Sequence, residues 1–153
     1  MGYIKYLKKA LKKPSKERLM AFRREEATVR VDHPTRINRA RSLGYKAKKG
    51  VFVVRQRVPR SHKMRPARIM KGGRRSKHAR RKLVLDLRLQ EICERRVNKK
   101  YPNCEILNSY FVAADGKHKW YEVIVVDRAS PNLKSDKQLS QITKQRGRVF
   151  RGK

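Results

Sequence analysis

The spacing of apolar residues changes period along the chain, and each change marks an element. From Leu83 to Lys100, Leu85, Leu89, Ile92 or Cys93, and Val97 recur at the helical spacing, and Glu91 to Arg95 is a favourable i,i+4 pair, so this stretch predicts a helix. Two runs rich in aromatic and β-branched residues follow, Glu105 to Ala114 and Lys119 to Asp127. Asp115-Gly116 between them signals a hairpin, because these residues tolerate tight-turn geometry. Neither run alternates cleanly. Leu107, Phe111, Tyr121, Val123 and Val125 take odd positions, while Ile106, Tyr110, Val112, Trp120, Ile124 and Val126 take even ones. Both faces of the sheet therefore need cover, one from the helix and the other from more chain or a partner.

Upstream, Val51 to Val58 predicts a third strand. Phe52, Val54 and Val58 share one parity, and Arg55 and Arg57 take the other, so one face joins the core and the other presents guanidinium groups. Pro34 to Leu43 predicts a short helix stopped by Gly44, with Arg36, Arg39 and Arg41 exposed; Ser15 to about Thr28 predicts another, carrying Leu19, Met20 and Phe22. The expected fold class is α+β: a small antiparallel sheet of three or four strands packed with helices, plus long basic extended segments.

Composition narrows this picture. With 38% hydrophobic residues among 153, a core spread over the whole chain would be thin, so part of the chain has no core of its own. The strongest apolar stretches, Val51 to Val54 and Val123 to Val126, are strand-sized, far short of the roughly 18 residues that cross a bilayer. The start, MGYIKYLKKALKK, sets Ile4, Leu7 and Leu11 among lysines like a surface-seeking helix. Three aliphatic anchors make a weak membrane face, no secretory core follows, and Tyr6 sits where a myristoylation motif needs Ser or Thr. No membrane partner is expected. Cys93 and Cys104 have neither a C-x-x-C arrangement nor a histidine at zinc spacing, which makes them buried thiols.

Charge separates the part that folds from the parts that cannot fold alone. The chain has 44 Lys and Arg against 12 Asp and Glu, a net charge of +32, which would strain an isolated compact fold and calls for a polyanion. Residues 1–50 hold 16 basic and 4 acidic side chains, 51–82 hold 13 and none, 83–127 hold 7 and 7, and 128–153 hold 8 and 1. The organisation that follows is a basic N-terminal part with the first strand (1–58), an extended basic linker (59–82), a neutral helix and hairpin core (83–127) and a basic tail (128–153). From His33 to Leu85, 19 of 53 residues are basic and none is acidic, whereas a solvated protein face intersperses the two signs. The linker, with two prolines and Gly72-Gly73, suits a segment ordered by its ligand. Arg60, Lys63, Arg65, Arg68 and Lys71 before and beside the glycines, and Arg74, Arg75, Lys77, Arg80 and Arg81 after them, are placed to clasp phosphates. Lys144, Arg146 and Arg148 extend the same chemistry into the tail.

No catalytic constellation emerges. Glu91 and Glu94 share a helix, but Arg88, Arg95 and Arg96 flank them, which suits a solvated, salt-bridged face. His33, His62, His78 and His118 are scattered, and GGRRSK lacks the spacing of a P-loop. No cofactor or metal is expected. The residues describe an RNA-binding architectural protein.

A resemblance sharpens this. GYKAKKG at Gly44 to Gly50 is preceded by Pro34-Thr35-Arg36 and Ala40-Arg41 and followed by VFVVRQRV. MGYIKY at the start, ILNSYFV at Ile106 to Val112, YEVIVVD at Tyr121 to Asp127 and ITK at Ile142 to Lys144 complete an ordered set. The set resembles the eukaryotic and archaeal large-subunit ribosomal protein fifteen family, which is unrelated to the bacterial protein of that number. Two departures stand out: the linker lacks the family's arginine and glycine cluster right after the strand, and the tail stops at Lys153 without the longer basic extension, as in a short archaeal member. The resemblance implies a sheet packed with helices and basic segments threaded through large-subunit ribosomal RNA in the cytoplasmic ribosome. It also implies neighbouring ribosomal proteins as partners, no homo-oligomer and no catalysis. By the same resemblance Arg36, Arg39, Arg41, Tyr45, Lys46, Lys48 and Lys49 would contact RNA. The rival reading is a general RNA chaperone or nucleic-acid-compacting basic protein. Tyr45, Phe52 and His62 could stack on unpaired bases, although Phe52 fits the protein's own core better.

Overall fold

Four strands pair antiparallel in the order β1-β2-β4-β3 in the computed structural model, which describes residues 2–11, 14–60, 87–144 and 149. The strands are β1 (Thr28–Val31), β2 (Val51–Pro59), β3 (Cys104–Ala114) and β4 (His118–Asp127); the helices are α1 (Gly2–Ala10), α2 (Lys16–Arg24), α3 (Ile37–Ser42), α4 (Leu89–Lys100), α5 (Pro131–Lys134) and α6 (Ser140–Lys144). The α+β expectation holds, with four strands.

The blurred periodicity has a physical cause. β4 is central, and Trp120 to Val126 are all buried because both faces of the sheet are covered. On one face Val54, Val58, Ile106, Tyr121, Val123 and Val125 pack against Cys93 and Val97 of α4. On the other, Tyr110, Val112, Trp120, Ile124 and Val126 meet Phe22 of α2, Ala40 of α3 and Leu133 of α5. Ile106 and Tyr110 share a parity yet face opposite ways, because the β3 register shifts between Ile106 and Asn108 and again between Phe111 and Ala113. Each extra residue moves all later side chains to the other face.

Three sequence expectations change here. The helix expected from Ser15 to Thr28 ends at Arg24, with Ser15 accepting from the Arg18 amide at its start, and Thr28–Val31 instead form edge strand β1 against β2. β-Branched Thr28, Val29 and Val31 suit an extended edge better than a helix end. The helix expected from Leu83 is seen as Leu89–Lys100, and residues 83–86 lie outside the described residues. The Glu91 carboxylate turns back to accept from the Arg88 amide at 3.3 Å, as in half of a capping box. Glu94, expected on a solvated face, is buried and accepts from the Ser109 hydroxyl.

Gly50 closes the loop into β2. Its φ is +94°, and a Cβ there would lie 2.7 Å from Ser130 Oγ and 2.8 Å from Leu133 Cδ1. Gly50→Ala is expected to lower stability by about 2–4 kcal/mol through left-handed strain and overpacking together. The urea midpoint of the full chain measures it.

Candidate nucleic-acid interface

The described cationic surface is built on α3. Ala40 is fully buried against the sheet, which turns Arg39 and Arg41 outward, and both are exposed. The helix ends in a Schellman closure: the Tyr45 amide donates to the Ala40 carbonyl at 3.0 Å and the Gly44 amide to the Arg41 carbonyl at 3.1 Å. Gly44, at φ +95°, supplies the left-handed residue this closure requires.

What holds α3 in place is a buried polar network. Glu122 on β4 has no exposed surface. Its carboxylate accepts from the Thr35 amide at 3.0 Å, the Thr35 hydroxyl at 2.5 Å and the Tyr110 hydroxyl at 2.5 Å. Arg55 Nη1 stands 3.5 Å from the same carboxylate. Burial, and then the neighbouring Glu122 charge, push the Tyr110 hydroxyl well above the ordinary tyrosine range. Arg55 also grips Glu25 bidentately, at 3.0 and 2.8 Å, and lies 3.9 Å above the Phe22 ring. The turn before α3 is thereby tied to β2, β3, β4 and the end of α2.

Arg55 was expected on a guanidinium-presenting face of β2. It is instead 8% exposed, because α2 covers that face. Arg57 is half-buried and donates from Nη1 to the Arg23 carbonyl at 2.9 Å. Arg36, expected exposed, is half-buried, with Nη1 on the Phe111 carbonyl at 3.1 Å. Arg60 is exposed and braces the hairpin turn through the Asp115 carbonyl at 2.7 Å.

In the loop after α3, Tyr45 packs, half-buried, against the core, and Lys49 is exposed. Lys48 and Lys46 reach Asp136 at 2.5 and 3.5 Å, and the Lys48 bond foremost holds that carboxyl well below the usual carboxylate range. These two lysines therefore also fasten the loop to the segment before α6. Lys144 is exposed at the end of α6. Lys63, Arg65, Arg68, Lys71 and Arg74, together with Arg75, Lys77, Arg80, Arg81, Arg146, Arg148 and His62, lie outside the described residues. Phe52 packs edge-on to Tyr101 at 5.6 Å, with Arg30 4.5 Å over its ring.

Sequence reasoning weighed the α1 lysines only for a membrane and passed over Arg18 and Arg30. Lys5, Lys8, Lys9 and Arg18 are exposed, and α1 lies against α3, so this end of the molecule adds to the cationic surface, whereas exposed Arg30 sits over Phe52 on the α4 side of the sheet. Their signal was present in the charge of residues 1–50, without a motif to single them out.

Among the described residues, no group of three or more His, Cys, Asp or Glu could hold a metal, and no helix is long and apolar enough to cross a membrane. Cys93 is buried and burial pushes its thiol up to about 12, while Cys104 is only half-buried and raised for the same first reason. Timed thiol labelling at pH 8 is expected to modify Cys104 well before Cys93, since the thiolate is the reacting form.

A family model described as Ribosomal L15 matches residues 2–153. Proteins named large ribosomal subunit protein eL15 are similar along nearly the whole chain. That of Methanocorpusculum labreanum is 47% identical, over 97% of this chain and 80% of the relative. That of Methanococcoides burtonii is 48% identical, over 99% and 82%. That of Picrophilus torridus is 49% identical, over 90% and 71%. With a basic surface mounted on a sheet and helix core, and matches of this extent, the chain belongs to the ribosomal L15 family of the L15e type.

Proposed function

We propose that the protein is a structural constituent of the large ribosomal subunit, where it binds and stabilises large-subunit ribosomal RNA in support of translation. The observation that carries this reading is the family match across residues 2–153 in a chain of net charge +32. The sheet and the helices that cover it, drawn from residues 14–60 as well as 87–144, supply the folding core, and the exposed basic side chains around it supply the grip. Arg39, Arg41 and Lys49 are the described side chains best placed to meet phosphates, since each is exposed and pairs with no carboxylate among the described residues. Lys46 and Lys48 would have to share themselves between Asp136 and RNA. The protein acts as a single copy among neighbouring ribosomal proteins, in the cytoplasmic ribosome, without catalysis.

Phosphate contacts release condensed counterions, so roughly 6 to 10 of them would weaken binding about a thousand- to a hundred-thousand-fold between 50 and 200 mM salt. Such contacts position the protein, and specificity then comes from RNA shape. The test is sedimentation of the tagged chain in cell extracts. Co-migration with large subunits through moderate salt is the expected result. An even spread over bulk DNA and RNA would sink this reading in favour of a general nucleic-acid chaperone.

A further inference from the structure

We infer that the cleft between α1, α2 and the turn before α3 receives one unpaired nucleotide of the RNA, its base against the apolar wall and its phosphate against two arginines. This rests on the RNA-binding reading above and names what one part of that surface takes. The cleft has a volume of about 400 Å³, within the roughly 300–1,000 Å³ range of small-ligand sites. Ala10 and Leu11 at the end of α1, Pro14 and Val112 supply its apolar lining. Arg18 and Arg36 supply cations, and no acidic side chain lines it among the described residues.

Arg36 is the telling residue. Its Nη1 is already fixed on the Phe111 carbonyl at 3.1 Å, so the guanidinium is held in position. Its Nε is buried and has no hydrogen-bond acceptor among the described residues. A guanidinium that is half-buried and held on one side by a carbonyl still carries its full charge, and an anion on the side that lines the cleft would offset the cost of keeping that charge there. A phosphate oxygen matches both the charge and the planar donor geometry of arginine.

The shape favours an unpaired nucleotide over a paired one. In an A-form helix the bases are stacked inside and the backbone is convex, so a concave apolar wall meets no base; a bulged or looped-out nucleotide can enter. Tyr6 and Ala10 are four residues apart on α1, and Tyr3 is one turn before Tyr6, so an aromatic stripe leads toward the cleft. Tyr3 and Tyr6 are 77% and 71% exposed, high for large apolar side chains, and exposed Lys5 and Lys9 flank them. Aromatics beside cations form a stacking platform for the bases that adjoin the inserted one.

The test uses the full chain and three RNA hairpins of identical stem: fully paired, with one bulged nucleotide, and with an abasic bulge. The bulged hairpin is expected to bind about tenfold more tightly than the paired one, in line with one stacked base, and the abasic bulge is expected to lose that gain. Ala10→Trp fills the cleft without removing a charge and should bring the bulged hairpin down to the affinity of the paired one. Equal binding of all three RNAs, retention of the gain by the abasic bulge, or persistence of the preference in Ala10→Trp would each overturn the inference. If thermal melting shows the variant unfolded, the abasic comparison on the unmodified chain decides alone. The two readings fail separately: a protein that enters large subunits yet treats the three hairpins alike loses only the cleft.

Discussion

Glu122→Ala is expected to cost about 3–5 kcal/mol of folding free energy, the range for breaking a buried charged network by removing one partner. Against a total of about 5–15 kcal/mol for an ordinary domain this is a large fraction. The reason lies in what is left behind. Without the carboxylate, which has no exposed surface, the Tyr110 hydroxyl and both Thr35 donors lose their acceptor, and Arg55 keeps Glu25 as its one carboxylate beside the Thr35 hydroxyl at 3.3 Å. Glu122→Gln preserves the volume and one acceptor oxygen, so its cost should be smaller. Urea unfolding followed by tryptophan fluorescence measures both, since Trp120 is on the same strand and buried. A Gln variant as damaging as the Ala variant, or an Ala variant within about 0.5 kcal/mol of wild type, would remove this network from its role in holding α3.

The second large effect is on RNA rather than on folding. Neutralising Arg39 and Arg41 together to glutamine is expected to reduce the salt slope of ribosomal RNA binding by about 2, one for each lost phosphate contact. Reversing both to glutamate should exclude the protein from large subunits. Folding should hardly change, since both side chains are exposed and substitutions at such sites usually stay within about 0.5 kcal/mol. Leu89→Val on α4 is the opposite control. It trims a partly buried residue packed against the core, and should lower stability while leaving the salt slope alone. If Leu89→Val impaired incorporation as much as the double arginine change, the α3 surface would not be the grip. Arg36 is left out of this pair because its bond to Phe111 gives it a structural share.

Much of this was legible along the chain. The hairpin came from two β-rich runs around Asp115-Gly116, and the Asp115 carboxylate indeed braces the turn by accepting from the Lys117 and His118 amides at 2.8 and 2.5 Å. The end of α3 at Gly44 followed from glycine's tolerance of positive φ. Arg39 and Arg41 were read as exposed, and they are. The parity argument failed at Arg55 for a definite reason. Alternation in a strand reports two faces, but not whether a distant helix will cover the polar one; Phe22 and Glu25, thirty residues upstream, convert an apparent surface arginine into a buried strut.

The sequence by itself determined the α+β class and the excess of positive charge that calls for a polyanionic partner. These rest on local composition and short-range periodicity, which act over a few residues and need no knowledge of the partner element. Only the tertiary structure decided which basic side chains are drawn inward or into ion pairs. A guanidinium is driven to water or into an ion pair according to the carboxylates that long-range folding brings near it, and Glu25, Glu122 and Asp136 are delivered to Arg55, Lys46 and Lys48 from 30 to 90 residues away.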